Sequence, residues 1–262
     1  MRILFIADIV GQPGRRAAKK YLAAPPDAGG FDFVIANGEN VAGGKGLTPP
    51  LARELFEAGV HVLTGGNHTW RNREVMGIIQ DERILRPANY PPCAETPGQG
   101  CSVLASPAGF EVAVVSLLGR TYMDHHDDPF ARAEDLVESL RRRTPLIVVD
   151  FHAEATSEKL AMFRVLDGRV TAVIGTHTHV QTADEQVSPL GTAYITDAGM
   201  TGPHDSILGV RTDIALRQLR TELPVRHEIA TGDPHLSGVI IEADPLTGRA
   251  QSILRVFDPP RR

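Results

Sequence analysis

Five short apolar runs in this chain each stop at residues able to bind a ligand, and that pattern limits the fold more than any other feature. Residues 2–7 end at Asp8, residues 31–36 at Asn37-Gly38-Glu39-Asn40, and residues 60–63 at Gly65-Gly66-Asn67-His68. Residues 146–151 run into His152, and residues 170–174 into Gly175-Thr176-His177-Thr178-His179. Short runs rich in Val, Ile and Leu read as buried strands. Helical stretches fall between them, over residues 15–22, from Thr48-Pro49 to Ala58, and over 129–142 and 157–166. Thr48 is placed as an N-cap with proline in the first turn behind it, and Gly59 stops the same helix. Strand, polar loop, helix, strand is the α/β alternation. In such sheets ligands bind beyond the carboxyl ends of the strands. Turn chemistry accounts for any one of these polar residues. It does not account for a carboxylate, an amide and an imidazole recurring at the same kind of place.

The remaining elements are a turn at Gly11-Gln12-Pro13-Gly14, a short helix over 74–80, strands over 101–105, 111–117 and 193–196, and a Gly-rich loop over 199–209. Pro/Gly loops are expected over 24–30 and 93–100, and residues 237–243 and 250–257 form an expected hairpin around Asp244-Pro245-Leu246-Thr247-Gly248. With no internal repeat or linker, the chain reads as a single domain over residues 1–262.

Charge and cysteine content narrow the function. Hydrophobic residues make up 42% and charged residues 23%, an ordinary globular balance. A formal net charge of -5 argues against stable DNA binding, which draws on positive charge. A small anionic substrate stays compatible, because a metal supplies local positive charge. Cys93 and Cys101 are the 2 cysteines; they make no disulfide framework and suit a reducing compartment. The first apolar run is too short for a secretion signal, and no run is long enough to span a bilayer. A cytoplasmic protein with no membrane partner is the expectation.

His177 and His179 are two residues apart, so on an extended backbone their rings would face one side at a strand end. Histidine is the commonest ligand of transition metals; a backbone-bonded pair in a polar loop is the other reading. Asp8, Glu39, Asn40, Asn67, His152, His177 and His179 together offer carboxylate, amide oxygen and imidazole without thiolate. That mixture suits iron, manganese, zinc or magnesium. Seven donors are too many for one tetrahedral ion and suit two metals sharing a carboxylate, an arrangement that clamps in-line displacement at phosphorus.

The order of these motifs resembles the calcineurin-like metallophosphoesterase superfamily, and within it the YmdB-like branch. The likeness is carried by Ile6-Ala7-Asp8-Ile9-Val10-Gly11, Asn37-Gly38-Glu39-Asn40, Gly65-Gly66-Asn67-His68-Thr69-Trp70 and Arg86-Pro87-Ala88-Asn89-Tyr90-Pro91. It continues through Asp150-Phe151-His152-Ala153-Glu154, Gly175-Thr176-His177-Thr178-His179 and Asp197-Ala198-Gly199-Met200-Thr201. Two departures from the general superfamily, Val10 where a histidine is usual and Glu39 where an aspartate is usual, are shared with that branch. The resemblance implies a layered α/β/β/α sandwich. It implies one metal on Asp8, Glu39, Asn40 and His179 and another on Glu39, Asn67, His152 and His177, with iron first among the candidates. Two metal ions would then serve hydrolysis of small cyclic nucleotides, 2′,3′-cyclic or 3′,5′-cyclic. A hydroxide between the metals attacks phosphorus, and His68 is the general acid. A homo-oligomer is left open.

Two other readings compete. One is a regulatory nucleotide- or RNA-binding protein whose metal site turns over slowly. The other is a metal amidohydrolase, which requires a barrel. Around the site, Glu154 and Asp184 are candidates to orient ligand imidazoles, and Thr178 is a ligand-side contact or a backbone brace. Trp70 is weighed between base stacking and the core, with the core favoured. Arg120, Tyr122 and Lys45 are candidate phosphate or base contacts, and His125 and His126 belong to a solvated or lid loop.

Overall fold

Alternation within each strand sorts the apolar residues onto two faces. Ile3 and Phe5 of the first strand pack between two sheets, while Leu4 and Ile6 point outward beneath helices. A computed structural model of the chain describes residues 1–25, 29–91, 93 and 95–259. The expected loops over 24–30 and 93–100 lie partly outside the described residues.

In chain order the first half gives β1 (Arg2–Ile6), α1 (Gly11–Ala23), β2 (Phe33–Asn37), α2 (Pro49–Glu57), β3 (Val62–Thr64), β4 (Ile84–Leu85), β5 (Cys101–Ala105) and β6 (Glu111–Leu118). The second half gives α3 (Pro129–Leu140), β7 (Ile147–His152), α4 (Thr156–Leu166), β8 (Ala172–Thr176), β9 (Gln186–Val187), β10 (Ala193–Ile195), β11 (Gly202–Pro203), α5 (Thr212–Thr221), β12 (Pro234–Ala243) and β13 (Ala250–Asp258). One sheet runs β11-β12-β1-β2-β3-β4, with β13 alongside β12. The other runs β5-β6-β7-β8-β10-β9. β1, β2 and β3 are mutually parallel, as are β6, β7 and β8, so each set ends at one edge of its sheet.

Phe5, Phe33, Ile35 and Val62 of the first sheet meet Val112, Val114, Val148 and Ile174 of the second in a dry central layer. α1 and α2 cover the outer face of the first sheet through Ala18, Tyr21 and Leu55. α3 and α4 cover the outer face of the second through Ala133, Val137, Met162 and Phe163. The fold is a four-layered α/β/β/α sandwich, which excludes the barrel that an amidohydrolase requires. No helix among the described residues is long and apolar enough to cross a membrane.

Three local expectations change. The Gly11–Gly14 segment is the opening of α1, not a separate turn. Gly14 is there for close approach: a Cβ on it would collide with the Thr201 carbonyl oxygen. The helix expected over 74–80 is a 3-10 turn, Arg73–Gly77, opened by Asn72, whose side chain accepts from the Glu74 amide at 3.0 Å. α5 arises beyond the expected 199–209 loop. It packs lightly: Ala215 is its one buried residue, and Leu216 and Leu219 are exposed.

Candidate metal centre

The carboxyl ends of β1, β2 and β3 meet those of β7 and β8 at one edge of the sandwich. Asp8 follows β1, Glu39 and Asn40 follow β2, and Asn67 and His68 follow β3. His152 closes β7, and His177 and His179 follow β8. The structure brings all eight together. His152 Nε2 lies 3.0 Å from Asn67 Oδ1, 3.0 Å from His177 Nδ1 and 3.2 Å from Glu39 Oε1. On the other side of Glu39, Asn40 Nδ2 lies 3.1 Å from Glu39 Oε1, 3.3 Å from His179 Nε2 and 3.4 Å from Asp8 Oδ1. Glu39 therefore sits between two groups of donors.

Following the protons shows that these groups fit a cation. His152 Nδ1 is 2.9 Å from Thr176 Oγ1, which donates to Asp150 Oδ1 at 2.7 Å. An ionised carboxylate only accepts, so the relay runs from imidazole to hydroxyl to carboxylate, and in the neutral ring the His152 Nε2 lone pair faces the centre. His177 is fixed similarly: Nε2 faces Glu154 Oε2 at 3.2 Å, turning its Nδ1 lone pair inward. Thus His152 Nε2, His177 Nδ1, Asn67 Oδ1 and Glu39 Oε1 all present lone pairs to one spot, the pattern a metal ion satisfies. Glu39, His152 and His177 alone bring three such atoms within 4.8 Å of one another. In the second group, His179 Nδ1 donates to the Leu208 carbonyl at 3.2 Å, leaving Nε2 to face Asp8 and Asn40. There the Asn40 amide presents its N–H groups to three acceptors, and its Oδ1 lies 2.7 Å from His68 Nδ1. Turning this amide over would put Oδ1 toward the acceptors, as a cation requires, and leave Glu39 Oε1, 3.5 Å from His68 Nδ1, to hold that ring's inner proton.

Electrostatics point the same way. Burial pushes the Asp8 carboxyl up to about 6, against the pull of His152 and His179. Burial also raises Glu39, but His152 and His68 outweigh it and hold that carboxyl well below its ordinary value. Burial disfavours charge on His152, yet Glu39, Asp8 and Asp150 overcome it and raise the ring to about 9. His177, buried beside His152, falls to about 3. Without a metal, the centre draws a proton onto His152 to supply the missing positive charge. His68 is lowered by burial and pushed back up by Glu39. Its amide donates to Glu39 Oε2 at 2.9 Å, and its ring Nε2 has no partner among the described residues.

The supporting residues are mostly ones that strand-end reading passed over. Asp150 is fully buried and takes hydrogen bonds from Asn37 at 3.0 Å, from Thr64 and from Thr176, which tie β2 and β3 to β7 and β8. An aspartate inside the apolar run 146–151 was the signal. Asp197 accepts from the Thr178 amide at 3.0 Å and the Thr178 hydroxyl at 2.8 Å, and it pairs with buried Lys159 at 2.8 Å. Thr178 is accordingly a brace. The backbone across His177 and His179 is not extended: φ is 103° at His177 and 65° at His179, left-handed values costly outside glycine. Of the two carboxylates expected to orient imidazoles, Glu154 reaches His177, whereas Asp184 binds Thr182 and Thr196 instead. Trp70 packs partly into the outer core and lies 5.8 Å from the Tyr90 ring. Arg120 faces Asp128 at 3.7 Å, and Tyr122 is exposed. His126 meets Tyr90 edge-on at 5.1 Å.

The model of the family described as "YmdB-like protein" matches residues 4–256. A 2′,3′-cyclic-nucleotide 2′-phosphodiesterase from Bacillus subtilis (strain 168) is 49% identical over 258 residues, which cover 98% of this chain and 97% of that protein. A putative phosphatase/phosphodiesterase from Mycoplasma pneumoniae is 35% identical over 270 residues, 100% of this chain and 95% of its own. Among solved structures, a hypothetical protein from Thermus thermophilus matches with a TM-score of 0.91 at 41% identity over 98% of both chains. A novel phosphatase from Mycoplasma pneumoniae matches at 0.90 and 34% identity, over 98% of this chain and 92% of its own.

Proposed function

The chain belongs to the YmdB-like protein family, and from that premise we propose that it is a dinuclear-metal phosphodiesterase that hydrolyses 2′,3′-cyclic nucleotides. The observation that carries this reading is Glu39 set between two groups of inward-facing donors. Asp8, Glu39, Asn40 and His179 would hold one ion and Glu39, Asn67, His152 and His177 the other; iron is the first candidate, with manganese, zinc or magnesium as alternatives. The relative from Bacillus subtilis, named for cleavage at the 2′ position, supports the choice of substrate. The reading places the protein in the cytoplasm as one domain over residues 1–262, with a small nucleotide as its partner.

The chemistry such ions supply when bound is activation of water and neutralisation of charge on the phosphoryl oxygens. The chain supplies the rest. Thr176 and Asp150 fix which nitrogen His152 presents, Glu154 does so for His177, and the Leu208 carbonyl for His179. Glu39 and Asn40 hold the near side of His68, so its Nε2 edge stays available to the substrate. From there His68 protonates the leaving O2′, giving the 3′-phosphomonoester with one water consumed.

The test pairs two variants with two readouts. Glu39→Gln should lose most bound metal together with turnover of 2′,3′-cyclic AMP. His68→Ala should keep its metal and lose about 10²–10⁴-fold in kcat, the scale of a general acid. Full activity in His68→Ala would remove that residue's role alone. A metal-loaded wild type that cleaves no phosphodiester would sink the enzyme reading and favour the regulatory nucleotide-binding one.

A further inference from the structure

A recess of about 510 Å³ opens beside His179, and its other walls include Val180, Gln181, Leu208 and Phe257. We propose that this recess takes the nucleobase of the substrate and selects bases carrying an exocyclic amino group. The inference rests on the nucleotide reading above and adds the part of the site that reads the base.

Position comes first. The His179 ring divides the candidate centre from the recess. Its Nε2 faces Asp8 at 3.8 Å and Asn40 at 3.3 Å, and its Nδ1 faces the Leu208 carbonyl, on the recess side, at 3.2 Å. In a 2′,3′-cyclic nucleotide the base is attached to the carbon adjacent to the one bearing O2′. A phosphate at the centre therefore carries its base only one sugar ring away, and the recess begins one imidazole ring away. The volume falls in the range of small-ligand sites, roughly 300–1,000 Å³.

Chemistry comes second. Val180 and Leu208 leave 58% and 52% of their surface in water at this wall, apolar area that a flat ring would cover. Gln181 provides direction. Its Nε2 faces the carbonyl oxygens of Gly238 at 3.0 Å, Val256 at 3.1 Å and Ala198 at 3.3 Å. Only the amide nitrogen can face three acceptors, so the orientation of this side chain is fixed. Its Oε1 takes no hydrogen bond among the described residues and is the group left to accept from a base amino group. Burying that oxygen against a base with no donor leaves it unpaired, which is what makes the contact selective.

The experiment uses the full-length, metal-loaded protein and the double variant Val180→Ser/Leu208→Ser, which alters two water-facing side chains. Kinetics are measured with 2′,3′-cyclic AMP, with the 2′,3′-cyclic phosphate of purine riboside, whose base has no N–H donor, and with ethylene cyclic phosphate, which has the reacting ring but no sugar or base. Binding of 3′-AMP is measured separately by calorimetry. In the double variant, kcat/KM for cyclic AMP relative to ethylene phosphate should fall about tenfold, mostly through KM, and 3′-AMP should bind about tenfold more weakly. Wild type should prefer cyclic AMP over the purine riboside analogue by about tenfold. An unchanged substrate ratio with unchanged 3′-AMP affinity overturns the recess, as does an equal loss on both substrates. Equal use of cyclic AMP and the purine riboside analogue overturns the part assigned to Gln181. If wild type binds 3′-AMP through the recess but cleaves none of the three, the enzyme reading falls and the base site stands.

Discussion

His152 shows how far a single residue could be read in advance. Its place after an apolar run marked it as a ligand, but nothing local to it revealed its proton. That proton is set by Thr176, 24 positions away, and by Asp150 behind it. The aspartate was visible as a charge inside a strand; its partners were not, because they come from three other strands. Thr176→Val keeps the shape and removes the relay. The expected result is about 10–100-fold weaker metal binding, the usual cost of losing such a support, with circular dichroism unchanged; metal titration checks it. The same residue sets a pH dependence. In the metal-free site its pKa rises to about 9, so a metal must displace a proton below that pH. Apparent metal affinity should therefore climb as pH rises toward about 9. Stability of the stripped protein runs the other way. A folded pKa above the unfolded 6.5 gives a stabilisation fully present below 6.5 and lost as pH passes through about 9. His177 and His68, both lowered by burial, pull stability the other way only up to about pH 7, and Asp8 and Glu39 have changed charge by then. Thermal melts of chelated protein between pH 7 and 9 that fail to fall would contradict this account.

At the scale of elements, the longer strands and four of the helices were legible because alternation and capping are local signals, whereas the two-residue strands β4, β9 and β11 are too short to carry a pattern. The turn carrying His177 and His179 was not. Strand geometry made the two rings neighbours on one face, and only the family resemblance divided them between two donor groups; the structure separates them through two left-handed residues. The force holding that turn comes from Asp197 and Lys159, neither near it in sequence. The Gly65–Gly66 pair at the end of the third apolar run is a matter of space. A Cβ on Gly66 would collide with Glu39 Oε2 and lie 2.7 Å from His152 Nε2. Gly66→Ala must therefore displace the Glu39 carboxylate or the His152 ring. It should fold with near wild-type far-ultraviolet dichroism yet retain less than about half the metal and lose activity by at least about tenfold, since small displacements of reacting groups are costly. Full metal content by elemental analysis would show that neither side chain is fixed where the structure has it.

Across the whole molecule, the centre joins two halves that are also held by apolar packing, by the buried Asp150 carboxylate and by hydrogen bonds from Gln181 to Gly238 and Val256 and from Ser116 to the Gly65 carbonyl. Asp8, Glu39, Asn40 and Asn67 come from the first sheet, and His152, His177 and His179 from the second. Beneath them, Asp150 on β7 accepts from Asn37 and Thr64 across the interface between sheets. The layered plan could be read from the order of strands and helices, but not the fact that the two parallel edges face each other, because sequence order says nothing about how one sheet docks on another. On the proposed function, this arrangement makes metal binding a matter of stability as well as catalysis. Ions held from both sides would bind the folded chain and not the unfolded one. At a free concentration 100 times Kd, one such ion stabilises by about 2.7 kcal/mol. For a chain of this size each kcal/mol moves Tm by about 2–4 °C. Removing the metal should thus lower Tm by about 5–10 °C per site, and adding back iron or manganese should restore it. Glu39→Gln, which weakens both sites, should melt near the chelated wild type and respond little to chelator. A wild type whose Tm is indifferent to chelation would mean that the two sheets dock independently of the centre, and that the donors at this edge do not hold metal across the interface.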